Sequence, residues 1–340
     1  MKTVAIVGFG FMGNMHAQVY QQLRGAKLTA AVDINCPKAE ADLAKAGLKI
    51  PVYSDLDTLF AKEKIDVVDI CLPTYLHASA ALLAIEAGKH VFCEKPFALS
   101  VKDAEKVAIA AEKAGILFMV GHCIRFWPEY QALVELVRSN KAGRLLSLAM
   151  QRRSSCPTWS SDGWLLDGKR SGGAALDLHI HDTDFAHHLL GKPRAVTSHG
   201  TKDANGWSHI FTSYHFEGMA VTAEGGWNYP PKWGFQMAFQ AVFENGAVEY
   251  DIRAKPTLVA TLGGEETKPL PFKEPQTGSS STGQGNVSAL GGYYNELAHF
   301  FECLESNQLP QIATARQALE SLRTALAEIQ SAARNQTISL

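Results

Sequence analysis

Thr3-Val4-Ala5-Ile6-Val7-Gly8-Phe9-Gly10-Phe11-Met12-Gly13 opens the chain with an apolar run that stops at a GxGxxG hexapeptide. The hexapeptide alone is common; its placement is what gives it meaning. A short apolar run bounded by glycine reads as a buried strand, and residues 11–23 then carry apolar side chains at helical spacing without a proline. Strand, glycine turn and helix in that order leave unpaired backbone N–H groups at a helix N-terminus, where a pyrophosphate is stabilised. Gly8 serves the tight turn, Gly10 the approach of backbone to phosphate, and Gly13 the close packing of helix on strand. The confirming feature is an acidic residue about 20 positions further on. Asp33 fills that place, at the end of a second apolar run over residues 28–32.

The chain has 340 residues, 46% of them hydrophobic and 19% charged, which is ordinary for a globular protein and long enough for two domains. Its net charge is −2 and its basic residues are scattered, so nothing resembles the basic stripe of a nucleic-acid-binding surface. No apolar run reaches the length of a membrane span, and no basic, apolar and small-residue leader precedes the first strand. The six cysteines (Cys36, Cys71, Cys93, Cys123, Cys156 and Cys303) are widely spaced without a CxxC and read as reduced thiols. A cytoplasmic location is the expectation.

Strand and helix patterns alternate through residue 121. Helices are predicted over 37–46, 56–62, 76–87 and 101–114, and strands over 67–72, 90–93 and 116–120. Such alternation means parallel strands with crossover helices, a doubly wound sheet that binds ligands at the carboxyl ends of its strands. Residues 8–13, 72–77 and 93–96 occupy those ends. Beyond residue 121 the pattern predicts a helix over 126–140, a strand over 144–153 and a helix over 174–190. Five or six strand-like runs follow between residues 195 and 262, as an antiparallel sheet. Residues 263–292 read as a long loop, and helices are predicted over 293–304 and 313–334, the latter N-capped near Thr314. The domains expected are therefore 1–121 for dinucleotide binding and 122–340 for substrate binding and oligomerisation.

Two constellations can carry chemistry. Glu94-Lys95-Pro96 follows a predicted strand, so Lys95 stands either at the ligand edge, donating to a substrate oxygen, or in solvent as a strand-end lysine. The proline fixes the local backbone and permits a cis bond. In the predicted helix over 174–190, Asp177 and His181 are four residues apart and share a face, placing a carboxylate beside an imidazole. His179 points elsewhere and reads as a packing or hydrogen-bonding residue. Asp177, His181, Asp184 and His188 fall along one stripe of zinc-ligand types, but a stripe about 16 Å long cannot surround one ion, and no metal is expected.

With these residues in place, the chain resembles the Gfo/Idh/MocA family, the glucose–fructose oxidoreductase and inositol dehydrogenase group. The resemblance rests on Gly8, Gly10 and Gly13, on Pro73 and His77, on Glu94-Lys95-Pro96, on Arg125-Phe126, on Gly172-Gly173, and on Asp177 with His181. It implies an N-terminal Rossmann domain with a doubly wound parallel sheet, joined to a C-terminal α/β domain with a large open, mainly antiparallel sheet. That sheet commonly forms an oligomer interface in the family, which implies a homodimer or homotetramer. It also implies Lys95, Asp177 and His181 as the catalytic group. Cofactor contacts are expected from Gly8, Gly10, Phe11, Met12, Gly13, Asp33, Pro73, Thr74, His77, Glu94 and Lys95. Substrate contacts are expected from Lys95, Arg125, Trp164, Asp177 and His181, and Trp164 or Arg170 is able to reach the cofactor from the second domain. Trp159, Trp164 and Tyr229 either stack on a sugar face or serve as core or interface aromatics.

Asp33 favours NAD over NADP, because a carboxylate accepts from a ribose 2′-OH and repels a 2′-phosphate. The expected activity is hydride transfer between a secondary alcohol of a sugar or cyclic polyol and the nicotinamide. His181 takes the hydroxyl proton, Asp177 supports it, and Lys95 hydrogen-bonds the oxygen. Two rivals stand beside it: a glycosidase that oxidises transiently to permit elimination, and a dinucleotide-binding regulator without chemistry.

Overall fold

The computed structural model describes residues 1–275, 277 and 290–340. Its first sheet is built from β1 (Lys2–Val7), β2 (Ala26–Val32), β3 (Val52–Tyr53), β4 (Val67–Ile70), β5 (His90–Glu94) and β6 (Phe118–Gly121). These strands lie in the order β3-β2-β1-β4-β5-β6, all parallel. The helices between them are α1 (Phe11–Tyr20), α2 (Cys36–Lys45), α3 (Leu56–Lys62), α4 (Thr74–Glu86) and α5 (Val101–Ala114). This is the doubly wound order whose progression reverses between β1 and β4, so a ligand crevice opens past the carboxyl ends of those two strands. Local chemistry sets the helix ends. The Ser100 side chain accepts from the Asp103 amide at the start of α5, and Gly115 ends it in the left-handed region at φ 63°. Helix α4 begins at Thr74, two residues earlier than apolar spacing places it, because Pro73 provides the turn into it.

Contacts divide the chain into two units that do not follow the sequence: Met1–Cys123 with Pro275–Leu319, and Ile124–Glu274 with Glu320–Leu340. The first unit thus takes in a helix from far along the chain, α10 (Gly291–Ser306), which a division at residue 121 leaves out. Phe300 packs edge-on against Phe92 of β5 at 5.6 Å, and Phe301 against Tyr20 of α1 at 6.0 Å. The Val120 amide donates to the Ala313 carbonyl at 2.9 Å, extending the edge of β6. Thr314 caps the last helix, α11 (Ala315–Arg334). Its hydroxyl accepts from the Gln317 amide, and its own amide donates to the Gln317 side chain.

In the second unit, a short 3₁₀ turn over Cys123–Phe126 precedes α6 (Pro128–Ser139), which starts at a proline suited to the first helical turn. Then come β7 (Leu145–Ser155), a 3₁₀ segment over Ser161–Leu166, α7 (Gly168–Ser171), α8 (Gly173–Asp177) and α9 (Ile180–Leu190). Strands β8 (Ala195–Asp203), β9 (Gly206–Phe216), β10 (Met219–Tyr229), β11 (Phe235–Phe243), β12 (Gly246–Asp251), β13 (Leu258–Leu262), β14 (Lys268–Pro269) and β15 (Ile338–Ser339) complete it. The sheet order is β14-β13-β12-β11-β7-β10-β9-β8-β15. Sequential hairpins make it mainly antiparallel. Strand β7, separated from β10 by helices and a hairpin, enters between β10 and β11 and runs parallel to β10. On the buried face, Tyr130 of α6 packs edge-on against Phe185, Phe239 and Tyr250 at 4.7–5.5 Å. The opposite face exposes Phe211 and Val242, at 51% and 42%. All six cysteines are free thiols. No helix among the described residues is long and apolar enough to cross a membrane.

Candidate active site

The turn after β1 accepts only glycine at two places. A Cβ on Gly8, where φ is +92°, would stand 2.7 Å from the Cys71 carbonyl oxygen, and one on Gly13 would stand 2.2 Å from that of Gly8. Gly10 caps α1 without any side-chain hydrogen bond, and no atom lies within 4 Å of where its Cβ would be. Phe11 and Met12 form the first turn beside it, both half-buried. A helix N-terminus presented as bare backbone with open space before it fits a pyrophosphate. Asp33 closes β2 with its carboxylate held by two amides: Phe9 N–H donates to Oδ2 and Asn35 N–H to Oδ1, each at 2.8 Å. Each oxygen retains acceptor capacity, which fits a ribose diol and opposes a 2′-phosphate.

Past β4, Pro73 leads into α4, with Thr74 and His77 only 1% exposed. The His77 ring lies between two backbone carbonyls, Nδ1 2.8 Å from Pro96 and Nε2 2.7 Å from Leu72. Burial pulls its pKa below the ordinary imidazole value, although both carbonyls favour the charged ring. His77 thus ties the loop after β4 to the loop after β5. In that second loop Lys95 is half-buried and the Lys95–Pro96 bond is cis. Glu94 turns inward at 4% exposure: Oε2 accepts from the Lys95 amide at 3.1 Å, and Oε1 lies 3.2 Å from His16 Nε2. His16 and Glu296, which lie beside Glu94 in the interior, and Asp69, on the other side of the His16 ring, escaped the sequence reading. The available signal was Asp69, an acid in the middle of a strand that is buried throughout.

In the second unit the expected helix over 174–190 is broken. Helix α8 ends at Asp177 and α9 begins at Ile180. The His179 amide reaches back five residues to Ala174 and the Asp182 amide only three, to His179, so a wide turn is followed by a tight one. Asp177 and His181 straddle this break, and the straight-helix spacing that put them on one face does not apply. The cause is anchoring by neighbouring residues. His179 is fully buried with Nε2 2.8 Å from Glu328, whose other oxygen accepts from Thr183 at 2.9 Å. Asp182 accepts two hydrogen bonds from Arg152 at 2.8 and 3.1 Å. Asp184 accepts two from Arg125 at 2.8 Å and one from Ser321 at 2.7 Å. Asp177 and His181 themselves are half-buried.

These anchors assign several side chains. His179 is the hydrogen-bonding residue its angular position implied. Arg125, expected as a substrate contact, is 2% exposed with its guanidinium on Asp184. Asp184 is therefore committed within the stripe of zinc-ligand types, and His188 is pushed down to about 4, by burial first and then by the Arg125 charge. Trp164 lies half-buried in the Ser161–Leu166 segment, and Arg170 pairs with Asp162 at 3.0 Å. Tyr229 stacks on Trp233 at 4.7 Å, while Trp159 is 53% exposed. Of the long loop over 263–292, residues 276 and 278–289 lie outside the described residues.

Residues 2–122 match the model of the oxidoreductase family with an NAD-binding Rossmann fold, and residues 130–249 match the GFO/IDH/MocA C-terminal domain. The chain belongs to the Gfo/Idh/MocA oxidoreductase family. The 2,7-anhydro-N-acetylneuraminate hydratase of Mediterraneibacter gnavus is 33% identical over 203 residues, 59% of this chain and 53% of that protein. The myo-inositol 2-dehydrogenase of Thermotoga maritima is 30% identical over 190 residues, covering 56% of this chain and 55% of its own. The chain spans about half the length of these curated relatives. An oxidoreductase from Agrobacterium radiobacter, solved with NAD+, L-tartaric acid and magnesium, shares the fold over 99% of this chain and 98% of that one. Its TM-score is 0.84 at 21% identity.

Proposed function

We propose that this protein is an NAD-dependent oxidoreductase that oxidises a secondary alcohol of a sugar or cyclic polyol. The observation that carries the reading is the pairing of a pyrophosphate cradle, built by Gly8, Gly10 and Gly13 and completed by Asp33, with a lysine at the carboxyl end of β5, which β4 separates from β1 in the same parallel sheet. NAD, when bound, supplies the hydride acceptor. The chain's own residues do the rest. Lys95 donates to the alcohol oxygen and stabilises it as it becomes a carbonyl. His181 removes the hydroxyl proton, and Asp177 supports the ring as it gains charge. The myo-inositol 2-dehydrogenase relative supports the substrate class.

A second reading is favoured by one observation, the likeness to a hydratase, whose name describes a reaction without net redox. The same residues then serve a transient oxidation that permits elimination, after which the hydride returns. Inositols, aldoses and glycosides offered to the NAD-loaded protein separate the two. Accumulating free NADH with a ketone product is the expected result for the dehydrogenase; bond cleavage with no net NADH would assign the redox-neutral reaction. Nucleotide binding without turnover on the whole panel would favour a regulator.

A further inference from the structure

Behind the loop that carries Lys95, four ionisable side chains meet in the interior of the first unit. His16, Asp69 and Glu296 are 0% exposed and Glu94 is 4% exposed, and they come from α1, β4, α10 and β5. On one side His16 Nδ1 is 2.8 Å from Asp69 Oδ2, which also accepts from the Tyr20 hydroxyl at 2.9 Å. Cys71 Sγ lies 3.3 Å from the same ring nitrogen. On the other side Nε2 is 3.2 Å from Glu94 Oε1. Glu296 adds its carboxyl, so that a ring nitrogen of His16 and one oxygen each of Glu94 and Glu296 fall within 4.8 Å of one another. Among the described residues, neither Glu296 oxygen has a hydrogen-bond partner. Gly121 on β6 leaves the room for this, because a Cβ there would stand 2.9 Å from Glu94 Oε1.

Counting protons decides what such a cluster is. With Nδ1–H given to Asp69, a neutral ring would turn a lone pair at Nε2 toward a carboxylate oxygen, acceptor against acceptor. Two ionised carboxylates beside it, away from water, would add an uncompensated charge. Two protons remove the first conflict and reduce the second: one on Nε2, giving an imidazolium between Asp69 and Glu94, and one on Glu296, which leaves a single net negative charge among the four groups. Burial opposes the charged ring, but Asp69, by charge and hydrogen bond, together with Cys71 against the same ring nitrogen, outweighs it and holds His16 well above its ordinary value. Burial, and then the Glu94 charge, hold the Glu296 carboxyl well above the carboxylate range. The other titratable groups facing the cluster are Tyr20, Cys71, Cys93, Tyr293 and Cys123, with His77 and Lys95 on the Glu94 side. Burial raises the two tyrosines and Cys71, so these three stay protonated.

We propose that His16 and Glu296 are positioning residues for Lys95: a charged His16 ring holds Glu94 in place and an uncharged Glu296 adds no repulsion beside it, so that Glu94 Oε2 holds the Lys95 backbone amide. The proposal rests on the reading of Lys95 as the donor to substrate, and its test separates the two. Nitrogen NMR of the full chain labelled at histidine, with His16→Gln assigning the signal, reads the cluster without turnover. Both ring nitrogens of His16 should be protonated at neutral pH, above the ordinary imidazole value, and should stay so in Glu296→Gln, whose amide replaces a neutral acid. A neutral His16 tautomer near neutral pH would overturn the proposal. So would a stoichiometric divalent metal in the purified protein, since a cation needs the Nε2 lone pair. In kinetics, His16→Gln and Glu296→Ala should each lower kcat about tenfold or more while the KM for NAD moves less than about threefold, and Glu296→Gln should restore kcat. Unchanged kcat in a folded His16→Gln variant would sink the positioning role. Full activity in Lys95→Met would instead remove the catalytic reading and leave the NMR result standing.

Discussion

At the scale of single residues, the proposed chemistry rests first on Lys95. Replacing it with methionine keeps the length of the side chain and removes the donor. Turnover should fall by about 10²- to 10³-fold, the usual effect of losing one such donor, while calorimetric NAD affinity stays within about threefold of the parent. Asp33→Asn tests cofactor choice. The amide oxygen can still accept from a backbone N–H, but the repulsion toward a 2′-phosphate is gone, so the ratio of NADP to NAD affinity should rise by about tenfold, roughly 1.4 kcal/mol. An unchanged ratio would mean that Asp33 does not face the ribose. Gly8 and Gly13 were legible in the sequence because a tight turn imposes its demands on adjacent residues, and Asp33 because it closes the next apolar run at the spacing a dinucleotide turn requires. Arg125 was not, because its partner Asp184 lies 59 positions away and only the folded chain brings them together.

Among the elements, the break between α8 and α9 bears most on function. Composition and spacing support one helix over 174–190; the observed start, Gly173, lies one residue earlier, and the end at Gly191 agrees. The interruption comes from Glu328, Arg152 and Arg125, none of which is close in sequence, so no local pattern could disclose it. Asp182→Asn should leave the buried Arg152 charge uncompensated and cost about 3–5 kcal/mol in urea unfolding; a loss below about 1 kcal/mol would mean that the pair does not hold the break. Histidines on two helices add a pH dependence. His77 on α4, and His187 and His188 on α9, have their pKa values lowered, by burial first in each case. The unfolded chain therefore binds protons more readily. The stability they contribute is fully present above about pH 6.5 and is lost as pH falls, for His188 through about 4. Thermal unfolding followed across that window should show a falling Tm, and the fall should be shallower in His188→Phe.

For the whole molecule, alternation of strand and helix made the first sheet readable except for β3, whose two residues are too short to show a pattern, and consecutive strands made the second readable as a sheet. The place of β7 between β10 and β11, and the return of α10 to the first unit, were not readable, since both depend on long-range pairing. The open face of the large sheet, with Phe211 and Val242 exposed, fits an interface with a second copy of the chain. Light scattering should report a dimer or tetramer, and a monomer would remove that role. The account as a whole stands on hydride transfer between substrate carbon and nicotinamide. Its most direct test offers inositols, aldoses and glycosides deuterated at their ring carbons to NAD-loaded protein in a single turnover, with the nucleotide then examined by mass spectrometry. Deuterium on the nicotinamide with the parent protein, and none with Lys95→Met, is the predicted result. A product formed from any of these substrates without deuterium reaching the nucleotide would contradict it.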